Sequence, residues 1–512
     1  MRAQAFTSPL EASIYVEGLR ARPAFFVGLL LIVHAAMWTL VSWLANPTPD
    51  PKLSVAIALG REWQFGYLDT PPLAPWILEL AFRAGGLLAV YALGPFTVAL
   101  TGWLVYLLAR RIAGDRHGAI AVFLMVGVHP VAFPVGSFDS DIVQMPLVAL
   151  AVLAWWFAVI ERNRYAWIVL GVTCGFFAYA GVQSFFVFAV LLGMTAAMAI
   201  GRASLTENRD QIFAVSGLFL FTLLLTPRMI WLQNHDFSGV MQLLDIPGSN
   251  IVRGEPIGIG VMVILGHIGL LLLIGLASRY YATDSDIAPV FMRPPLHPLG
   301  KQVVALIALV PPILAVVMAV LFGLRFSALA AAPLVLYSGL LAIVLASEAL
   351  RVHRQRMVAM AALTLLFLPP VLELATAFAS PYFGATGRTT NWPAQAAARY
   401  VTDVYRTRTG KPLDYIVGSE WQASSIALAS RDRPHIFIDA DPVKSPWASR
   451  EKLEAEGGIV IWSIRGADAA PPAALAASLP PLVAESPLTL NWTRPGSLDF
   501  IRLGWAIVPP KQ

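Results

Sequence analysis

Charged side chains cluster in the stretch from Asn46 to Leu73, between two long apolar runs, although only 13% of the residues in this chain are charged. The members of the cluster are Asp50, Lys52, Arg61, Glu62 and Asp69. A carboxylate can accept a proton from a reacting hydroxyl group, and an arginine or lysine can hold a phosphate. A second interpretation stays open, in which the stretch is a loop at a membrane surface with its tryptophan and tyrosine at the headgroup level.

A second acidic pair, Asp139 and Asp141, stands directly before another apolar run. Asp or Ser in this position commonly caps a helix, so capping alone would explain the pair. A carboxylate at the start of a membrane-embedded helix is nevertheless costly unless a polar cavity or a partner receives it. We therefore keep Asp141 as a second candidate base and Asp139 as a candidate substrate-binding residue.

A third group of candidates lies in residues 226–239, which read TPRMIWLQNHDFSG, and in the chain that follows. It contains Arg228, Trp231, His235 and Arg253. An arginine can hold a phosphate by two parallel hydrogen bonds. The alternative is an interface anchor, in which the aromatic rings and a snorkelling arginine only fix the depth of the helix.

Composition predicts a polytopic helical membrane protein. The chain has 512 residues, 57% of them apolar, and a mean hydropathy of +0.67, and a membrane span needs about 20 apolar residues. The single Cys174 excludes an internal disulfide framework and a cysteine-based metal site. We attribute the net charge of +5 to cytoplasmic loops rather than to nucleic-acid binding. The sequence has no P-loop, GxSxG or HExxH motif, so it gives no support to a hydrolase or an ATPase. No particular cofactor is indicated, and a divalent cation is left open.

Windowed hydropathy predicts about eleven membrane-spanning helices. They cover residues 24–45, 86–109, 118–135, 142–160, 165–181, 183–200, 212–227, 257–277, 303–322, 327–347 and 357–379. Arginine and lysine concentrate in alternate loops, which the positive-inside rule assigns to the cytoplasm together with the N-terminus. The external loops are then 46–85, 136–141 and 228–256. Residues 71–85 are either an amphipathic helix in the membrane interface or an early start of the second span.

The composition changes after Ser380, where apolar strand-like runs alternate with helical patterns. Strands are predicted at 415–418, 435–440, 458–464, 482–492 and 499–507, with helices at 392–409, 420–430, 448–455 and 471–478. This alternation is typical of a small α/β domain. We therefore expect a transmembrane domain at residues 1–379 and a soluble, external α/β domain at residues 380–512.

The first charged stretch resembles the first external loop of bacterial protein-mannosyltransferase-like enzymes, meaning family 39 and its lipid A aminoarabinose and galacturonic acid transferase relatives. Their W-GY-x-x-H-P-P-L pattern is matched by Gly66, Tyr67, Pro71, Pro72 and Leu73, with Thr70 at the histidine. A gap-free alignment puts Lys52 at the catalytic aspartate, and Asp50 lies two residues earlier. Asp141 is similar to the aspartate of a Thr-Pro-Asp signature, and Pro227, Trp231 and His235 resemble a third motif. Relatives often carry a lysine where this chain reads YAGVQS at 179–184.

The resemblance implies the C-type glycosyltransferase fold and a bacterial inner-membrane enzyme with its site on the periplasmic side. Such an enzyme moves a sugar from a polyprenyl-phosphate donor to an envelope acceptor such as lipid A, a polysaccharide or a protein, and it contacts membrane lipids. Asp50 would be the base, because a protonated lysine accepts no proton, and Asp141 the second choice. Lys52, Arg61, Tyr67, Asp69, Asp139, Arg228, Trp231, His235 and Arg253 would bind substrate. The alternative is a catalytically altered relative, or a transporter, that binds lipid-linked sugar without transferring it.

Overall fold

The computed structural model describes residues 21–511, apart from 69, 133–137, 207, 236, 238–259, 262, 279–289, 323–327, 353, 384–386, 465–468 and 480. Contacts divide the chain into two compact units. The first, here called the helical unit, contains residues 1–38, 94–135 and 140–370. The second, here called the sheet unit, contains residues 39–93, 136–139 and 371–512.

Helices form most of the chain before residue 384. They are α1 (Pro23–Ala45), α2 (Pro51–Gly60), α3 (Leu73–Ala113), α4 (Asp115–Leu124), α5 (His129–Ala132), α6 (Ser140–Trp155), α7 (Ala166–Ala180), α8 (Gln183–Ala197), α9 (Ala199–Thr206), α10 (Asn208–Asn234), α11 (Ile268–Ala277), α12 (Gly300–Phe322), α13 (Ser338–Leu345) and α14 (Gln355–Phe383). The same part of the chain contains two short strands, β1 (Val290–Met292) and β2 (Ala349–Arg351). They pair with each other in antiparallel orientation.

Six helices among the described residues are long and apolar enough to cross a membrane, or seven if α8 and α9, which meet at 88°, form one broken span. The chain is therefore a multi-pass membrane protein. Each of the eleven predicted segments overlaps helical structure, but several helices are shorter than a span; α7, for example, has 15 residues. Hydropathy detects an apolar run but not the turns that interrupt it, so the count of eleven is not confirmed.

Two glycines break α3 between an amphipathic segment and a membrane span. Gly85 and Gly86 depart from helical geometry, with φ −152° and +61°. The positive φ of Gly86 is a conformation that glycine adopts without steric cost. The predicted helix at 71–85 therefore exists as a segment of its own, and the span begins after the break.

A mixed sheet forms the centre of the sheet unit. Its strands are β3 (Tyr415–Gly418), β4 (His435–Ile438), β5 (Gly458–Ser463), β6 (Leu488–Leu490) and β7 (Ile501–Val508), in the order β4-β3-β5-β7-β6. The helices are α15 (Ala394–Thr409), α16 (Glu420–Ala429), α17 (Arg450–Glu456) and α18 (Ala473–Ser478). Strands β4, β3 and β5 run parallel, whereas β7 is antiparallel to both β5 and β6. Each strand and helix that the sequence predicts after residue 390 has its counterpart here.

The core of the sheet unit includes residues from the charged stretch near the N-terminus. Ala58, Leu59 and Tyr67 pack in the same buried cluster as Ile416 and Ile461 of the sheet. Helix α2 contacts α16. The contacts therefore group residues 39–93 with the C-terminal fold, whereas the change in composition at residue 380 does not reveal this association.

Candidate active site

Asp50 begins α2 and holds its carboxyl group at the first turn of that helix. Its Oδ1 accepts a hydrogen bond from the Leu53 amide at 3.1 Å, so Asp50 is the N-cap. Pro51 follows at the first helical position, where its fixed φ suits a helix and its missing N–H costs nothing. The sequence Pro-Asp-Pro thus gives this carboxylate a defined position and orientation.

The environment of Asp50 favours its protonated form more than water does. Burial has the largest effect and raises the pKa of the carboxyl group, and the nearby negative charge of Asp139 raises it further. The amide hydrogen bonds from Leu53 and Lys52 oppose this shift. A carboxylate with a raised pKa is a stronger proton acceptor once it is ionised, as a general base requires.

The other candidates in this stretch have different surroundings. Lys52 is exposed in the first turn of α2, and Arg61 is half-buried just after its end. Burial lowers the pKa of the Arg61 guanidinium, and its Nη1 has no hydrogen-bond partner among the described residues. Tyr67 is 4% exposed and donates its hydroxyl to the Leu59 carbonyl at 2.6 Å. Tyr67 therefore fixes the loop, and its hydroxyl group is already engaged.

A turn after α14 holds the chain just before Asp50. Thr48 donates its amide to the Thr390 carbonyl at 3.0 Å and its hydroxyl to the Trp392 carbonyl at 2.8 Å. Asn46 accepts from Arg388 Nη2 at 3.3 Å through its side chain, and from the Tyr91 hydroxyl at 2.8 Å through its carbonyl. Asp50 is thus positioned from both sides, by its own helix and by the segment Arg388–Trp392.

A hydrogen bond and ion pairs attach the far end of α2 and the start of α3 to the chain at the beginning of β4. Glu62 is bonded to His435 Nδ1 at 2.9 Å. Glu79, with 2% of its side chain exposed, bonds Arg433 at 2.5 Å and Arg83 at 2.8 Å. Glu79 and Arg83 are the two charges that made 71–85 amphipathic in the sequence, and a buried carboxylate needs such partners.

Asp141 lies in the first turn of α6, within the helical unit, and is 7% exposed. Its Oδ1 accepts from Gln183 Nε2 at 2.9 Å, and Gln183 Oε1 accepts from Gln144 Nε2 at 2.8 Å. Gln144 Oε1 in turn accepts from the Ser184 amide at 2.8 Å. Gly181 permits this packing, because a Cβ there would lie 2.3 Å from Gln144 Nε2.

Arg228, Trp231 and His235 share one face at the C-terminal end of α10. The Arg228 guanidinium lies 4.9 Å from the centre of the Trp231 ring, and the His235 ring stacks on Trp231 at 4.1 Å. The helix extends to Asn234, so residues 228–234 are helical rather than part of the predicted loop 228–256. The spacing of three and four residues brings the three side chains together because such positions lie on one helix face.

Two candidates, Asp69 and Arg253, lie outside the described residues, as does most of the predicted loop 228–256. Within the described part of the chain, no group of three His, Cys, Asp or Glu side chains could hold a metal ion.

Several residues of these two sites were absent from the sequence-based candidates. Gln183 lies in the segment 179–184, where relatives often carry a lysine. The missing lysine is the only feature of the sequence that draws attention to Gln183. The chain just before Asp50 contacts Arg388, Thr390 and Trp392, which lie more than 340 residues later in the sequence. No local sequence pattern predicts a contact over that distance.

Known proteins share both the fold and part of the sequence. The family described as dolichyl-phosphate-mannose-protein mannosyltransferase matches residues 69–231, which is less than half of the chain. Lipid A galacturonosyltransferase RgtD from Rhizobium johnstonii is 24% identical over 239 residues, which are 44% of this chain and 49% of RgtD. The matched region therefore spans about half the length of that relative.

The structure resembles ArnT from Cupriavidus metallidurans. The form bound to undecaprenyl phosphate gives a TM-score of 0.54 at 12% identity and covers 95% of this chain and 99% of ArnT. The apo form gives 0.54 at 13% identity, over 96% and 100% of the two chains. The fold is thus that of a C-type membrane glycosyltransferase. The resemblance to the protein-mannosyltransferase-like and ArnT-like group, predicted from the sequence, is confirmed.

Proposed function

We propose that this protein is an inner-membrane glycosyltransferase that moves a sugar from a polyprenyl-phosphate donor to a lipid acceptor of the cell envelope, such as lipid A. The observation that carries the proposal is the Asp50 carboxyl group, fixed at the start of α2 with a raised pKa beside Asp139. The ArnT-like fold and the partial match to RgtD support the donor and acceptor classes.

The chemistry needs a base and a stabilised leaving group. Asp50 would take the proton of the acceptor hydroxyl, whose oxygen attacks the anomeric carbon and inverts its configuration. The carbon–oxygen bond to the lipid phosphate breaks, and a cation stabilises the departing phosphate. We assign that cation to Lys52, in the first turn of the helix that Asp50 caps. Arg228, which is 6% exposed and rests on Trp231, is the candidate phosphate-binding residue of the helical unit. Arg61 and Lys52 would attract the anionic headgroup.

The orientation that we propose follows the distribution of arginine and lysine. The N-terminus lies in the cytoplasm, and Asp50, the acidic pair at 139–141 and residues 380–512 face the periplasm. The donor's prenyl chain stays among the helices, because moving a long apolar chain out of lipid is costly.

A divalent cation is a possible addition to this mechanism. Asp50 and Asp139 are oxygen ligands of the kind that divalent cations accept, so EDTA treatment followed by addition of Mg²⁺ or Mn²⁺ tests whether a cation contributes. If transfer continues in EDTA, Asp50 and Asp139 do not act as metal ligands. Asp50 is then the base, and Asp139 only raises its pKa.

Asp50→Asn tests the proposal with little effect on the fold, because Asn caps a helix about as well as Asp. Purified protein in proteoliposomes is supplied with polyprenyl-phosphate galacturonic acid and lipid A, and labelled lipid A is measured. We expect turnover to fall by about two to four orders of magnitude while donor binding and the melting temperature stay unchanged.

Asp414→Asn is the matched control, since burial raises the pKa of this carboxyl group too, within the same unit. It should keep wild-type turnover. Full activity of Asp50→Asn with loss in Asp141→Asn would move the base to α6. If sealed vesicles take up the lipid-linked sugar and no glycosylated product forms, the protein is a transporter and not a transferase.

A further inference from the structure

The turn Thr389–Asn391 contains two buried polar atoms that the protein does not satisfy. Thr390 is 7% exposed and Asn391 3% exposed. Neither Thr390 Oγ1 nor Asn391 Oδ1 has a hydrogen-bond partner among the described residues. Leaving such a group buried and unpaired destabilises a protein, so each one requires an explanation.

The same turn lies against the chain that positions Asp50. The Thr390 carbonyl accepts the Thr48 amide at 3.0 Å, two residues before the candidate base. Thr493 also contacts the turn, because its amide donates a hydrogen bond to the Asn391 carbonyl at 2.9 Å. The carbonyl groups of Thr390 and Asn391 are thus engaged with neighbouring chain. Their two side-chain oxygens have no such partner among the described residues.

The chemistry of these atoms suits neutral hydroxyl groups. An amide oxygen accepts a hydrogen bond, and a threonine hydroxyl both donates and accepts one, which together match adjacent hydroxyls of a sugar ring. A phosphate would require a cation at this place, but the neighbouring Arg388 already bonds Glu373 at 2.6 Å and Asn46 at 3.3 Å.

We propose that Thr390 and Asn391 bind hydroxyl groups of the sugar at which Asp50 acts, and so select the substrate. The inference rests on the proposed function and adds two specificity-determining residues to it. The hydroxyls belong either to the transferred sugar of the donor or to the sugar of the acceptor, and the experiment distinguishes these two sources.

Thr390→Val tests the inference, because valine keeps the shape of threonine and removes only the hydroxyl. The control is Thr389→Val, one residue earlier in the same turn, where the side chain is exposed. Affinities are measured for bare undecaprenyl phosphate and for polyprenyl-phosphate galacturonic acid, and KM is measured for lipid A. The melting temperature is recorded for each variant.

We expect Thr390→Val to melt at the wild-type temperature or above it, since it removes an unpaired buried group. If the donor sugar is bound, the affinity gained by adding the sugar to the carrier falls about threefold to tenfold, while bare carrier binds as before. If the acceptor sugar is bound, the KM for lipid A rises by the same factor. Asn391→Leu should behave in the same way, and Thr389→Val should match wild type.

A lower melting temperature for Thr390→Val, with all affinities unchanged, would show that the hydroxyl is structural and would overturn the inference. Unchanged affinity and stability in both Thr390→Val and Asn391→Leu would overturn it as well. The proposed function fails separately, if wild-type protein binds the sugar-bearing probes but transfers nothing. Wild-type protein that does not distinguish sugar-bearing from bare carrier, and does not bind lipid A, would remove the sugar site itself.

Discussion

Asp139 affects Asp50 by its charge, and this coupling gives a test at the level of single residues. Burial and the charge of Asp139 both raise the pKa of Asp50. A general base works only when ionised, so kcat/KM should fall with decreasing pH at a higher value than the ordinary carboxyl pKa of about 3.9. Asp139→Asn removes one raising influence. We expect the acid limb of the profile to move to lower pH in this variant, as measured by initial rates of transfer.

The acid limb of Asp414→Asn should stay at the wild-type position, because the main influences on the pKa of Asp50 are burial, the Leu53 and Lys52 amides, and the charges of Asp139 and Lys52. An acid limb that does not move in Asp139→Asn would mean that another group controls the profile.

Arg228 gives a second test at the level of single residues. Its guanidinium is buried and lies over Trp231, a contact that both a phosphate-binding arginine and an interface anchor can make. Arg228→Ala should weaken donor binding by about 1.5–3 kcal/mol, the value of a charge-assisted hydrogen bond. Equilibrium binding of undecaprenyl phosphate measures the change.

Arg164→Ala is the matched control, because the guanidinium of Arg164 lies 5.2 Å from Phe213, an aromatic ring near the other end of the same helix. If donor binding depends only on a cation–π contact, the two variants should bind the donor equally well. A weaker donor affinity in Arg228→Ala alone points to the position of this arginine. Donor affinity that is normal in Arg228→Ala would leave this arginine as an anchor.

The sequence could rank candidate residues, but it could not supply their partners. Asp50 can be chosen over Lys52 from the sequence, because a protonated lysine accepts no proton, and the capping geometry of Asp50 is local. The contacts of Thr48 with Thr390 and Trp392 depend on tertiary packing, which periodicity does not encode. Arg388 and Asn391 look like ordinary loop residues in the sequence, so the sugar-binding role proposed for the turn had no signal there.

Elements were easier to predict than residues. Strands and helices after residue 390 followed their hydrophobic patterns, since the parallel strands are short buried runs bounded by turn residues. The sequence does not decide whether residues 71–85 form a segment of their own, because the break at Gly85 and Gly86 that separates them from the span is a feature of the backbone. The number of spans is not confirmed, because an apolar stretch can be divided by a sharp bend such as the one between α8 and α9.

Gly60 gives a test at the level of helix packing. It ends α2 where that helix crosses the start of α3, and a Cβ there would lie 2.1 Å from the Pro75 carbonyl oxygen. Backbone atoms cannot move aside as a flexible side chain can, so Gly60→Ala should displace α2 and with it Asp50. We expect a lower melting temperature and reduced transfer.

Gly193→Ala is the control within α8, because nothing lies within 4 Å of its added Cβ. Alanine is the better helix former there, so this variant should be neutral or more stable by up to about 1 kcal/mol. Wild-type stability of Gly60→Ala would show that α2 and α3 can separate.

At the scale of the whole molecule, the orientation of the chain can be tested with fusions. The positive-inside rule puts Gln512 outside the cytoplasm. Alkaline phosphatase fused after Gln512 should be active, whereas a fluorescent protein that matures only in the cytoplasm should stay dark. The opposite pattern would remove the periplasmic site from the proposed function.

The order of synthesis sets a limit on when the candidate base can be placed. Asn46 and Thr48 leave the ribosome more than 340 residues before Arg388 and Trp392, the partners that fix them. At about 5–20 residues per second, the loop waits for tens of seconds before these contacts can form. The sheet core is also incomplete without Ala58, Leu59 and Tyr67, which are made early. A chain that ends before residue 388 should therefore carry every residue of the base and its helix, and keep the local cap from Leu53, but lack the contacts of Asn46 and Thr48 with the segment Arg388–Trp392. Exchanging residues 380–512 between relatives would replace half of the support for the base.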